Sequence, residues 1–263
     1  MNYRGLKQAS RQCLRDSGIS PRRLTVLFLL CLYAVSVSSD MVSYFLDRQL
    51  AQTTGFDAMD LKATADLWNV GSFVVVNLLA MQWSVGYDSF TLHLSRGQKA
   101  SFQDFLQGFR MLGKILAVVL LRALFVACWS MLLLIPGLVA VYRYRMAVFV
   151  ILDNPNLTAS QALAVSSRLT YGHKGELLML DLHFLWYFLP SVATTVLVNA
   201  YNYGFLPEQM YTERGFWTVY LVNLLLPALM EVAAMAYYRT TGAHAYNWLQ
   251  ALDRARWEEA QSW

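Results

Sequence analysis

Five charged residues lie inside stretches of the chain that are otherwise long and apolar. They are Arg122, Arg143, Arg145, Asp181 and Glu231. A charged side chain in the hydrocarbon of a bilayer is costly, so each of the five needs a partner or a function. Guanidinium groups bind phosphate and carboxylate oxygens in pairs, and carboxylates balance such cations or carry protons. The residue types therefore point to charge pairing, anion binding or proton chemistry.

The five charges fall at a common predicted depth. Measured from the end of each apolar segment at about 1.5 Å per residue, each lies roughly 8 to 14 Å inside the same membrane face. Three cations and two anions from four helices would then meet at one level, with Asp181 and Glu231 as the counter-charges. We expect a polar cluster that opens toward the cytoplasm and carries a surplus positive charge.

Three uses of this cluster remain open from the residues alone. In the first, the charges pair to fix helix register, or the arginines extend to lipid headgroups along their apolar stems. In the second, the surplus charge binds an anion such as a lipid phosphate or an acidic metabolite. In the third, the cluster conducts ions or catalyses a reaction, and an intramembrane enzyme would use Asp181, His183 or Glu231.

The elements that must position these charges are membrane helices. Hydrophobic residues make up 57% of the 263 and charged residues only 14%, whereas soluble domains are roughly 25% charged. A spanning helix needs about 20 apolar residues. We therefore predict an all-α, polytopic transmembrane helical bundle. The candidate segments are 24–46, 66–87, 115–135, 138–152, 176–198 and 216–238.

The fourth segment is short, and Pro136-Gly137 precedes it. Proline lacks an N–H and disfavours helical geometry at the residue before it. We expect the helix to break there, so that segments three and four form a tight hairpin or a kinked pair with a re-entrant second arm.

The basic residues predict the orientation of the bundle. With the N-terminus inside, the cytoplasmic stretches hold 15 Lys and Arg, whereas the opposite stretches hold 3. Positive residues accumulate on the cytoplasmic side of membrane proteins. We therefore expect an N-terminal cytoplasmic helix within 1–23, a transmembrane domain over 24–240 and a cytoplasmic tail over 241–263.

Three connecting stretches have the pattern of interfacial helices. Residues 101–113 place apolar side chains on one helical face, and Ser101 can cap the first turn. Residues 158–171 begin with a capping-box spacing and stop at Gly172. Residues 3–16 form an amphipathic helix suited to an anionic lipid surface. Its basic stripe consists of Arg4, Lys7, Arg11 and Arg15.

Toward the opposite face, Asp40 and Asn69 lie at a similar predicted depth. We expect Asp40 to be hydrogen-bonded to a neighbouring helix or close to water, with a proton path as the alternative.

Other function classes find little support. The chain has no HExxH, no GxSxG and no glycine-rich phosphate loop, and its three cysteines lack CxxC spacing. Its basic residues are spread between apolar segments, which argues against nucleic-acid binding. We therefore expect no enzyme activity and no cofactor. The expected partners are membrane lipids, anionic ones in particular, with a second copy or another membrane protein left open.

Several sequence blocks resemble a family of bacterial integral membrane proteins known as domain of unknown function nine-seven-five. The likeness covers roughly residues 85–240, and Arg143 and Arg145 depart from the family pattern. The blocks are Trp129-Ser130, Leu133-Leu134-Ile135-Pro136-Gly137, Tyr142, Tyr144, Asp153-Asn154-Pro155, Ser166-Ser167, Gly172-His173-Lys174-Gly175-Glu176-Leu177, Leu180-Asp181-Leu182, Phe184, Trp186, Pro227, Glu231, Ala233 and Tyr237-Tyr238.

The resemblance implies a multi-pass helical protein of the bacterial cytoplasmic membrane without an assigned reaction. The family is also similar in architecture to the membrane part of glycerophosphodiester phosphodiesterases, whose catalytic domain is a separate soluble unit. Our first functional prediction is a non-enzymatic protein that binds an anionic lipid or small anion and assists transport or envelope maintenance. The alternative is a transporter or permease subunit with helices broken at Pro136, Pro190 and Pro227.

Overall fold

The computed structural model describes residues 2–15, 20–207 and 211–261, and helices without strands make up the regular structure of these ranges. In chain order they are α1 (Tyr3–Arg15), α2 (Pro21–Leu50), α3 (Phe56–Ser95), α4 (Phe102–Arg110), α5 (Leu112–Leu132), α6 (Leu134–Arg143), α7 (Ala147–Asp153), α8 (Ala159–Leu169), α9 (Lys174–Leu182), α10 (Leu185–Asn202) and α11 (Glu213–Gln261).

The predicted all-α polytopic bundle is confirmed. In the described residues, five helical stretches are long and apolar enough to cross a bilayer, and a sixth span results if α9 and α10 count as one. These two helices are bent by 68° relative to each other at their break. The spans form antiparallel pairs in which α2 packs on α3, α5 on α6 and α10 on α11.

The pair α5 and α6 forms the tight hairpin that was one of the two predicted arrangements. The helix breaks at Leu133, which is extended, and not at Pro136-Gly137 as predicted. Pro136 is tolerated in the first turn of α6 because N–H groups there have no helical partner. Gly137 permits the close packing, since a Cβ at that position would lie 2.9 Å from the Cα of Ser130.

The fourth span is longer than predicted because it begins before the proline. Together α6 and α7 form a 20-residue candidate span, Leu134–Asp153. The sixth span continues without a break through residue 240, so the predicted tail is helical as far as Gln261. Residues 262 and 263 of that tail, and residue 16 of the predicted N-terminal helix, lie outside the described residues.

The main core lies at one end of the bundle, which we call the packed end. There α7 is buried on nearly all sides, with Ala147, Val150 and Ile151 at 0% exposure, and it packs beside α3, α5 and α8. Tyr246 and Leu249 of α11 belong to the same core. Away from this end the helices expose large apolar side chains, as helix surfaces in lipid do.

The two connecting helices of the packed end begin where predicted, whereas α4 ends at Arg110, before the predicted residue 113, and α8 ends at Leu169. Ser101 caps α4 in a capping box with Asp104, and Thr158 caps α8 in a second box with Gln161. Gly172 follows α8 with a φ of 82°, a conformation that favours glycine.

A polar network ties three elements of the packed end together. Arg96, just after α3, donates to both carboxylate oxygens of Asp153 at 2.6 and 3.1 Å. Tyr246 and Gln250 of α11 donate to the same carboxylate at 3.2 and 2.8 Å. The hydrogen bond to Asp153 raises the pKa of Arg96 above its usual value. Helices α3, α7 and α11 are therefore fixed relative to one another.

Candidate functional site

The first part of the site is an ion pair between Arg145 and Asp181. Arg145 lies in the turn between α6 and α7, and Asp181 lies in the last turn of α9. Two tyrosines complete the carboxylate's contacts: Tyr142 donates to it at 3.0 Å and Tyr238 at 3.2 Å. Arg145 also donates to the Tyr238 hydroxyl at 3.3 Å. The predicted pairing of Asp181 with an arginine is therefore confirmed.

The second part is an ion pair that the sequence reasoning missed. Arg239 of α11 donates to Asp88 of α3 at 2.8 Å and to Ser84 at 2.6 Å. Only 8% of the Asp88 side chain is exposed. Both charges lie one residue beyond the predicted segments, 66–87 and 216–238. The helices continue past both positions, to Ser95 and Gln261, and no local sequence pattern marks the two charges as buried.

These arginines meet Arg122 of α5 in a cavity of about 330 Å³. We call it the arginine cavity, and its walls come from α3, α5, α7, α11 and the turn before α7. The lining residues are Met81, Ser84, Val85, Asp88, Val119, Arg122, Arg145, Val148, Phe149, Tyr238, Arg239 and Gly242.

Arg122 differs from the other two arginines of this cavity. Arg145 is paired with Asp181 and Arg239 with Asp88. Among the described residues, Arg122 has no hydrogen bond and no ion pair, and its nearest charged neighbours include Arg145 as well as Asp88. The three cations thus have two carboxylate partners, which leaves a surplus positive charge. The predicted cluster had the same balance, but with Arg143 and Glu231 in the places of Arg239 and Asp88.

Two of the five predicted residues lie elsewhere. Arg143 donates from Nε to Ser167 of α8 at 2.7 Å and lies over the Tyr144 ring. It is two residues from Arg145, so the two side chains point in different directions around the helix. Glu231 lines a separate cavity of about 250 Å³ between α10 and α11. It lies eight residues, or roughly 12 Å, from Arg239 along α11.

The groups proposed for an intramembrane enzyme have different surroundings. Asp181 is held by Arg145 and the two tyrosines. His183 contacts the Met179 carbonyl of its own helix at 2.6 Å through Nδ1, and its ring stacks on Tyr3 of α1. Glu231 lines the α10–α11 cavity. Among the described residues, no three His, Cys, Asp or Glu side chains are grouped as a metal would require.

Helix α1 packs against the bundle and not only against a lipid surface. Its Ser10 is fully buried, and Tyr3 stacks on His183 with ring centroids 5.4 Å apart. Lys7 lies over the Phe184 ring and Arg11 over the Tyr237 ring. Burial lowers the pKa of Lys7, and the nearby charge of Arg11 lowers it further.

Polar residues of α2 and α3 also come together toward the end of the bundle that lies opposite the packed end. Asp40 and Asn69 line one cavity of about 270 Å³, as their similar predicted depth indicated. Ser43 donates to Asn69 at 2.7 Å. Asp40 interacts with the hydroxyl of Tyr220 on α11, which agrees with the expected hydrogen bond to a neighbouring helix.

The fold and the site together define a multi-pass helical membrane protein with a charged cavity near its packed end. Comparisons of the chain with models of protein families, with curated proteins and with solved structures found no match. The resemblance to the family of domain of unknown function nine-seven-five therefore stays a prediction, and the functional argument depends on the cavity itself.

Proposed function

We propose that this protein is a non-enzymatic membrane protein that binds an anionic group, a lipid phosphate or a small anion, in the arginine cavity. The observation that carries the proposal is Arg122, which lines the cavity without an ion-pair partner among the described residues. The two other arginines of the cavity already have carboxylate partners.

The electrostatic reason is the cost of an unbalanced buried cation. A charge removed from water loses several kcal/mol of solvation unless a counter-charge offsets the loss. Arg145 and Arg239 add positive potential at Arg122, and Asp88 is already shared with Arg239. A phosphate in the cavity would balance the surplus charge and accept paired N–H bonds from the Arg122 guanidinium.

The positions of the basic residues support a cytoplasmic location for this cavity. The stretches at the packed end belong to the side that holds 15 Lys and Arg against 3 on the other. We therefore propose that both termini are cytoplasmic and that the cavity takes its anion from the inner leaflet or the cytoplasm. A bacterial cytoplasmic membrane is the location that the family resemblance implies.

The test removes Arg122 and uses Arg143 as the matched control, because Arg143 is also an arginine of a span but contacts Ser167 outside the cavity. Loss of one charge-assisted contact is worth about 1.5 to 3 kcal/mol, so Arg122→Gln should weaken anion binding by roughly tenfold or more. Arg143→Gln should bind as the unchanged protein does. The readouts are native mass spectrometry with phosphatidylglycerol and calorimetry with glycerol phosphate. Unchanged binding of both probes to Arg122→Gln would refute the proposal.

Transport of the bound anion is a second candidate function, and one observation favours it. Asp181 lies directly before the break at which α9 and α10 are bent by 68°. Interrupted helices that end at a charged site are common in secondary transporters. Pro190 and Pro227, by contrast, lie inside continuous helices. Uptake of labelled anion into liposomes separates transport from binding alone.

A further inference from the structure

A second basic cavity, of about 670 Å³, lies where α1 and the start of α2 meet α10 and α11. Arg11 and Arg15 of α1 and Arg22 of α2 line it together. The remaining described lining residues include no acid. They are Leu14, Ser20, Pro21, Tyr187, Ala233, Ala236 and Tyr237.

The three arginines of this cavity have no ion-pair partner among the described residues. Arg11 is held in place by its position over the Tyr237 ring, 5.2 Å from the ring centroid. The arginine cavity is lined by one carboxylate, Asp88, and a second, Asp181, pairs with its Arg145, whereas the described charged residues that line this cavity are all cations.

The basic cavity lies beside an apolar groove and shares one wall residue with it. Tyr187 lines both this cavity and the space of about 250 Å³ between α10 and α11. Ala233 and Ala236 line the first, and Ala234 lines the second. The groove follows the membrane span, and its walls are mostly apolar. Its acidic group, Glu231, lies about 7 to 8 Å further along α11 than Ala236.

We infer that this cavity binds the phosphate headgroup of an anionic phospholipid whose acyl chain lies in the α10–α11 groove. Three arginines offer a phosphate opposite charge and paired N–H donors, and the groove supplies apolar surface that a free anion would not cover but an acyl chain would. The cavity also lies at the start of the first span, Pro21, where headgroups are found. The inference is independent of the arginine cavity, because the two share no lining residue.

The test is a double variant, Arg15→Gln with Arg22→Gln, which leaves Arg11 on Tyr237. Arg4→Gln with Arg23→Gln is the matched control, because it removes two positive charges from the same region but outside the cavity. Native mass spectrometry with phosphatidylglycerol and with phosphatidylcholine measures the bound lipid. The cavity variant should lose phosphatidylglycerol by about tenfold or more, and the control should not. Because the arginine cavity can also bind this lipid, bound lipids are counted per protein. Arg122→Gln and the cavity variant should each remove one phosphatidylglycerol, and the combined variant should remove both.

A second variant tests the groove without changing charge. Met230→Trp fills the groove beside Pro227 and should also lower phosphatidylglycerol binding.

Two outcomes would overturn the inference. Equal losses of lipid in the two double arginine variants would mean that the overall positive charge of this region, and not the cavity, attracts the lipid. The other outcome is displacement of the lipid by an equal concentration of glycerol phosphate, since the acyl chain would then contribute nothing.

Discussion

At the residue scale, the charge balance near the arginine cavity depends on two carboxylates in different surroundings. Asp181 is shared among Arg145 and two tyrosines, and 25% of its side chain is exposed. Asp88 is more deeply buried and is bonded to Arg239. Removing one partner of a buried pair leaves the other charge uncompensated, which costs more than the pair itself contributes. Of these two acids, Asp88 is therefore the one whose loss should destabilise the fold more.

We predict that Asp88→Ala lowers the free energy of unfolding by about 3 to 5 kcal/mol, because Arg239 is left without its carboxylate beside two other arginines. Asp88→Ala combined with Arg239→Met should recover most of that loss, since no unpaired charge then remains. The measurement is thermal unfolding in detergent, followed by circular dichroism. Equal destabilisation by the single and the double variant would show that the pair acts only through packing.

The same two pairs show what a sequence can reveal about such a site. Arg145 and Asp181 stood out because they interrupt apolar segments, and their pairing followed from opposite charge at one depth. Asp88 and Arg239 could not be recognised in this way, since each follows an apolar run by one residue. Their burial depends on α4, α7 and the end of α11 covering that level, which no local pattern indicates.

At the element scale, the α5–α6 hairpin depends on a close helix contact at Gly137. We predict that Gly137→Ala destabilises the protein by about 1 to 3 kcal/mol, because the added methyl group would meet the backbone of Ser130. Gly113→Ala in α5 is the control: nothing lies within 4 Å of a Cβ there, and alanine favours the helix by about 1 kcal/mol. If both variants raise the midpoint of thermal unfolding, the hairpin is not closely packed at Gly137.

The sequence predicts a helix end correctly where a nearby side chain caps that end. Ser101 and Thr158 form their capping boxes within three residues, so spacing alone identified both. The break at Leu133 was displaced from the predicted site because a proline in a first helical turn costs little. The docking of α1 could not be predicted, because its contacts Phe184 and Tyr237 come from far along the chain.

At the scale of the whole molecule, the spans are unequal in length. α11 has 49 residues, which at 1.5 Å per residue is about 73 Å, more than twice the roughly 30 Å of a hydrocarbon core. The end of α11 that packs against α8, where Asp253 pairs with Arg168, must therefore extend beyond the membrane. Tyr246 and Gln250, which bond Asp153, belong to this extension. The packed end is thus a folded unit at the membrane surface.

Opposite ends of the bundle should accordingly be accessible from opposite sides of the membrane. In a background with Cys13, Cys31 and Cys128 replaced by Ser, we predict that Gln261→Cys reacts with an impermeant maleimide only in inside-out vesicles. Thr54→Cys, in the turn between α2 and α3, should react only in right-side-out vesicles, because the strong excess of Lys and Arg at the packed end favours a cytoplasmic position. Ala147→Cys, at a fully buried position, is the unreactive control. Labelling of Gln261→Cys from the outside would show that the orientation is the reverse of the predicted one. The arginine cavity would then lie in the outer half of the membrane.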